Sequence, residues 1–191
     1  MFLARRPSTR EIERFLVESR QLPLSYHPIG IVRQAPRDRR FDEQAIVIGH
    51  GPDDFDRARA ALRAWKQFDL GWVETFPRDA RVEVGTVVAV LIRHLGFWSL
   101  NGARVVYVVG SANDESRFGF AYGALTNHAE SGEELFEVSL DPATGEVSYR
   151  IRAVSRPRAA LAALAFPYTR LLQARFRRDS ALAVRRAIEG R

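Results

Sequence analysis

The chain has 191 residues, a formal charge of +6 and no cysteine, which excludes a disulfide framework, thiolate metal sites and a cysteine nucleophile. Lys66 is the only lysine among the 29 basic residues, so Schiff-base and P-loop lysine chemistries have a single candidate. A chain of this length buries roughly 70% of its unfolded surface, and one domain over 1–191 needing no structural metal is expected.

Arg5 and Arg6 lead into Glu11, Glu13 and Glu18 without the apolar core of a secretory signal, so a cytoplasmic address is expected. The most apolar window, 85–100, is interrupted by Arg93 and His94 and falls short of the ~20 apolar residues that span a bilayer. Ser8 with Glu11 three residues later forms a capping-box signature, and Ile12, Phe15 and Leu16 follow on one face, predicting a helix over 8–20. Residues 21–40, with Pro23, Pro28 and Pro36, read as an irregular strap that packs through Leu24, Tyr26, Ile29 and Ile31, closing an N-terminal section of 1–40.

The middle section, 41–155, starts with a short strand over 44–49. Phe55, Ala58, Leu62 and Trp65 then recur at helical spacing over 53–67, with Asp53, Asp54 and Asp56 in a first turn where capping and the helix dipole favour them. Seven extended runs follow: 71–76, 86–94, 97–100, 103–110, 117–125, 134–141 and 147–155. They leave no room for crossover helices, so the sheet is an antiparallel meander. Asn101-Gly102 predicts a type I′ hairpin turn. From Ser155-Arg156-Pro157 the section 156–191 switches to a long helix with Leu161, Leu164, Ala165, Tyr168, Leu171, Leu172, Phe176 and Leu182 on one stripe, and Pro167 is expected to kink or split it.

This order of elements predicts an α+β helix-grip architecture, a curved antiparallel sheet wrapped around the long C-terminal helix, with an extra N-terminal helix. The apolar sheet face and the helix stripe are each the largest partner available to the other. Wrapping leaves a cleft between them, the default place for a small molecule.

Several segments resemble one family. They are Phe118-Gly119-Phe120-Ala121-Tyr122-Gly123-Ala124-Leu125, His128, Gly132-Glu133-Glu134 with Phe136, and Ser155-Arg156-Pro157. Pro23-Leu24-Ser25-Tyr26 with Gly30, Gly85-Thr86-Val87 and Arg104-Val105-Val106-Tyr107 extend the likeness over nearly the whole chain. Together they resemble the DUF1990 (UPF0548) family, with Thr126 and Ala129 standing where that family usually has prolines. The resemblance implies a START/Bet v 1-like fold without a settled biochemical role, and it marks Tyr26 as a residue that closes one end of the cavity or pins the strap to the sheet.

Phe118, Phe120 and Tyr122 share one strand face by period two, opposite Gly119, Ala121 and Gly123. They line a ligand cleft with Tyr26, Tyr107, Tyr149 and Tyr168, or they are core aromatics with small residues opposite for sheet curvature. His128 with Glu133 and Glu134 is a candidate polar site, set against an ordinary hairpin loop held by side-chain hydrogen bonds. No catalytic residue is assigned, since no Gly-x-Ser-x-Gly elbow accompanies the histidine. His27, His50, His94 and His128 are scattered without metal-ligand spacing, and Gly49-His50-Gly51 leads into aspartates that would repel phosphate, so no metal and no cofactor are expected.

The leading functional expectation is non-enzymatic binding of a small apolar or amphipathic molecule between sheet and helix. One alternative is a cyclase- or hydrolase-like enzyme using His128 or His94 as base. Another is an interaction module that meets an anionic partner through the C-terminal helix. Residues 156–191 hold nine arginines and two acids while the rest of the chain is close to neutral. That places the charge on the solvent side of one helix, with Arg170, Arg177, Arg178 and Arg185 opposite the stripe, and argues against nucleic acid as a partner.

Overall fold

The computed structural model describes residues 1–33, 42–110, 116–157 and 166–190. Its elements in chain order are β1 (Phe2–Leu3), α1 (Thr9–Ser19), β2 (Asp42–His50), α2 (Pro52–Arg63), a short 3-10 turn (Lys66–Phe68), β3 (Val73–Phe76), β4 (Val87–His94), β5 (Phe97–Val109), β6 (Arg117–Ala124), β7 (Glu130–Leu140), β8 (Glu146–Pro157) and α3 (Phe166–Glu189). The strands form one antiparallel sheet in the order β2-β8-β7-β6-β5-β4-β3, and β1 pairs with β5. This is the helix-grip fold.

Local chemistry sets most element ends. The capping box forms as expected: Ser8 Oγ accepts from the Glu11 N–H and the Glu11 carboxylate accepts from the Ser8 N–H at 2.8 Å. In the first turn of α2, Asp54 accepts the His50 N–H at 2.7 Å and pairs with Arg57. That helix ends at Arg63, four residues before the expected 67. Trp65, at φ 56°, breaks the ladder and lets Lys66–Phe68 tighten into the 3-10 turn.

The sheet departs from expectation at its main hairpin. β5 is one continuous strand through Asn101 and Gly102, which face Val90 and Ala89 on β4. The turn lies at Leu95-Gly96, both at positive φ as a type I′ turn requires. Asn101 and Gly102 serve tertiary contacts instead. Asn101 is buried and accepts the Ala129 N–H at 3.1 Å, and Gly102 gives room to Asn127, which donates to Ser19 Oγ at 2.7 Å.

Both faces of the sheet are covered. On the concave face, Phe118, Phe120, Phe136, Val138, Tyr149 and Ile151 pack with Phe55, Leu62, Trp65 and Phe68 and with Ala181, Val184 and Ile188 of α3. On the convex face, Ile12, Phe15 and Leu16 of α1 meet Ala89, Leu91 and Leu100, while Ile31 and Val32 of the strap meet Val109, Ala121, Leu135 and Val154. Small residues on β6 serve this second layer: a Cβ at Gly123 would stand 2.5 Å from the Tyr26 hydroxyl.

The C-terminal region needs two corrections. β8 continues to Pro157, past the expected switch at Ser155. The kink or split expected at Pro167 concerns the chain on both sides of it, and the part before Phe166, where the described helix starts, lies outside the described residues. Leu161, Leu164 and Ala165 of the expected stripe lie outside the described residues. Leu171 and Leu182 are exposed, at 68% and 42%. Packing instead follows Leu172, Phe176, Ser180, Val184 and Ile188. This i+4 ridge drifts by about 40° per step around an ideal helix, because the helix crosses from the sheet mouth onto α2. Among the described residues, no helix is long and apolar enough to cross a membrane.

Candidate functional site

The C-terminal half of α3 packs on α2, and the N-terminal half bridges the open end of the curved sheet. Ala124, Ala129, Gly132 and Ala153 leave space beneath it, and a cavity of about 550 Å³ results. Apolar walls come from Phe68, Trp72, Val73, Val90, Ile92, Leu172 and Phe176.

Its polar side is built by β6, β7 and α3. The Tyr122 hydroxyl donates to Glu134 Oε2 at 2.7 Å. Burial pushes the Glu134 carboxyl up to about 7, the phenol hydrogen bond and Arg177 favour its ionised form, and the charges of Glu130 and Asp42 oppose it. Glu130, four residues earlier on the same strand face, is also raised by burial and accepts from Gln173 Nε2 at 3.1 Å. Gln173 donates to Ser155 Oγ at 2.9 Å as well. Arg170 pairs with Asp42 at the start of β2, and Arg177 lies 3.9 Å from the same carboxylate with its side chain 17% exposed. Arg177 therefore turns toward the sheet, in contrast to the solvent-facing arc expected of it, whereas Arg170 keeps its side chain 46% exposed while reaching Asp42. Arg175 does pair with Asp179, four residues on, and stacks over Trp72.

Of the residues singled out in the sequence, Tyr122, Tyr168, His128 and Glu134 line the cavity, and Glu133 borders it while its carboxylate is held on the other face. Phe118 and Phe120 lie deeper in the core, where Phe120 meets Trp65 at 4.7 Å between ring centroids and Arg63 stacks over Phe118. Tyr149 bonds Ser180 Oγ at 2.7 Å beneath α3. Tyr26 and Tyr107 are on the convex side, where both hydroxyls donate to Glu133, at 2.7 and 3.0 Å.

Glu133 joins Glu134 in β7, which starts at Glu130, ahead of the extended run expected from 134, and their side chains point to opposite faces. Glu133 also accepts the N–H groups of Gly30 and Val32, so it pins the strap. His128 Nδ1 accepts the Glu130 N–H at 3.0 Å. The histidine and the two glutamates thus do three separate jobs. His94 lines the cavity, with its pKa lowered by burial and its Nδ1 buried without a hydrogen-bond partner among the described residues.

Glu130, Asp42, Gln173 and Arg177 were not singled out as site residues. Their signal was weak, because β2, β7 and α3 meet only after folding, though Glu130 and Glu134 do share strand parity. Among the described residues, no three metal-ligating side chains gather.

The family described as "Domain of unknown function (DUF1990)" matches residues 25–183. A UPF0548 protein of Dictyostelium discoideum is 33% identical over 98% of this chain and 96% of its own length. Another, of Deinococcus radiodurans, is 32% identical over 91% and 88%. Among solved structures, protein TTHA0849 of Thermus thermophilus superposes with TM-score 0.53 at 12% identity, covering 79% of this chain and 98% of that one. The Zhui aromatase/cyclase of Streptomyces sp. R1128 gives 0.51 at 13%, covering 78% and 93%. At these identities the likeness is one of fold.

Proposed function

The chain belongs to the DUF1990 (UPF0548) family, and from that premise we propose that it binds a small apolar or amphipathic molecule in the cavity under α3 without transforming it. The observation that carries this reading is the cavity itself: about 550 Å³, walled mainly by apolar side chains, with one polar side at Tyr122, Glu134 and Glu130. Volumes of roughly 300–1,000 Å³ with a few convergent polar groups are those of small-molecule sites. Apolar burial supplies the affinity and the polar side fixes orientation.

Native mass spectrometry of protein purified from its own host tests the reading. A retained small molecule, lost when Phe176→Trp fills the cavity, is expected; a cavity that stays empty under gentle purification overturns it.

A second reading, a cyclase- or hydrolase-like enzyme, is favoured by Glu134, whose carboxyl is held near neutrality beside a phenol as a general acid–base group requires. Under it the retained molecule is converted on incubation and Glu134→Gln stops the conversion. Under the binding reading the molecule is recovered unchanged from both proteins.

A further inference from the structure

The polar side of the cavity is chemically one-sided. Carboxyl groups stand there at Glu130 and Glu134 on β7 and at Asp42 on β2, whereas Arg177 of α3 is the one arginine or lysine among the described lining residues. Arg177 is committed to Asp42, which also holds Arg170. Glu133 is turned away and saturated by two phenols and two backbone N–H groups. Glu130 is bonded by two neutral groups, the Ser155 hydroxyl and the amide of Gln173. Glu134 accepts a single phenol, although a carboxylate offers about four lone-pair sites. Among the described residues, neither Glu130 nor Glu134 has a cation within ion-pair distance. Among the described residues, both carboxyls thus face the cavity without an ion pair of their own, Arg170 and Arg177 being paired to Asp42, and Glu134 has acceptor capacity unused.

We infer that the ligand is an amphipathic cation, a hydrocarbon chain or ring system bearing an ammonium group, with its apolar part among Phe68, Trp72, Val90, Leu172 and Phe176 and its ammonium against Glu134. The inference rests on the binding reading above and narrows it to a ligand class. An ammonium supplies an ion pair that Glu134 does not make among the described residues and donates to its free acceptor sites. A ligand carboxylate would face three carboxyl groups, with Arg170 and Arg177 already paired to Asp42. A neutral alcohol would fit but gain no charge attraction.

Proton linkage gives this class a signature. A primary alkylamine keeps its proton to about pH 10, so its partner must be the ionised form of Glu134. The groups that face Glu134 are Tyr122 on β6, Glu130 on β7, Asp42 on β2, Tyr149 on β8 and Arg177 on α3; His128 and His94 line the same cavity. Below the pH at which Glu134 ionises, binding must expel its proton, so affinity for the amine rises with pH and then levels off.

The experiment measures dissociation constants for dodecylamine, dodecanol and dodecanoate below their micelle concentrations by tryptophan fluorescence, Trp72 being in the wall, for the full chain and for Glu134→Gln. Dodecylamine is expected to bind about tenfold or more tighter than dodecanol above neutral pH and to lose about tenfold per pH unit below the Glu134 pKa. In Glu134→Gln, the advantage of the amine over the alcohol and the pH slope vanish, while an unaltered circular dichroism spectrum and cooperative thermal transition show that the variant is folded. Equal binding of amine and alcohol, or preference for dodecanoate, overturns the cationic ligand and leaves the binding reading standing. Failure of all three to bind overturns both.

Discussion

Tyr122 on β6 and Glu134 on β7 sit opposite each other in the antiparallel register and are joined by a hydrogen bond of 2.7 Å at the wall of the cavity. The phenol is pushed well above its ordinary range by burial, and the carboxyl is raised to about 7 by the same cause. The pair therefore enters neutral solution as phenol and carboxyl close to its titration midpoint.

Glu134 makes stability depend on pH. Its folded pKa of about 7 lies above the ordinary 4.5, so the folded chain keeps a proton that the unfolded chain has released. The contribution is greatest below pH 4.5 and declines as pH rises toward 7. Glu134→Gln should reduce the fall of the thermal midpoint across this window, the remainder belonging to Glu130, which is raised in the same direction. An unaltered pH profile in the variant would show that another group sets it.

Tyr122→Phe removes the donor that favours the ionised form of Glu134. The carboxyl should then titrate above its wild-type value, as an infrared carboxyl-band titration would register. A downward shift would contradict the assigned hydrogen bond.

The strap is held by a charge-assisted lock. Tyr26→Phe, which deletes one donor to Glu133, should cost about 1–3 kcal/mol in urea unfolding. Tyr26, Tyr107, Tyr122 and Tyr149 all have raised phenol pKa values, led in each case by burial. Ultraviolet titration should accordingly find these four silent through the ordinary phenol range near pH 10 until the fold opens.

Phe136 lies at the centre of the concave core, with ring centroids of Phe68, Phe120, Tyr122 and Phe176 at 5.2, 5.7, 5.7 and 6.2 Å. Phe136→Ala should destabilise by about 3–5 kcal/mol. On the convex side, Gly102→Ala drives a methyl into Asn127 and should cost about 1–3 kcal/mol. Denaturant midpoints check both, and a near-neutral Gly102→Ala would mean that Asn127 yields without loss.

Features that depend on neighbours in the chain were legible from the residues. The capping box at Ser8 and Glu11 needs one helical turn, and the common face of Phe118, Phe120 and Tyr122 needs one strand. The strand-rich order between α2 and the last helix was enough for a curved sheet gripping a helix. Asn101-Gly102 misled because its composition suits a turn, while its role is a close approach to Asn127 and Ser19, residues distant in sequence. The helix stripe misled at Leu171 and Leu182 because apolar spacing does not reveal how a helix crosses its support.

The sequence by itself determined the element types, the meander and the pairing of aromatic with small residues along β6, since these follow from local sterics and periodicity. Only the tertiary structure decided that Glu133 locks the strap while Glu134, one residue on, faces the cavity, and that Arg177 turns inward to Asp42. Those outcomes depend on which distant strand, strap or helix each side chain meets, and on the burial that meeting imposes on its charge.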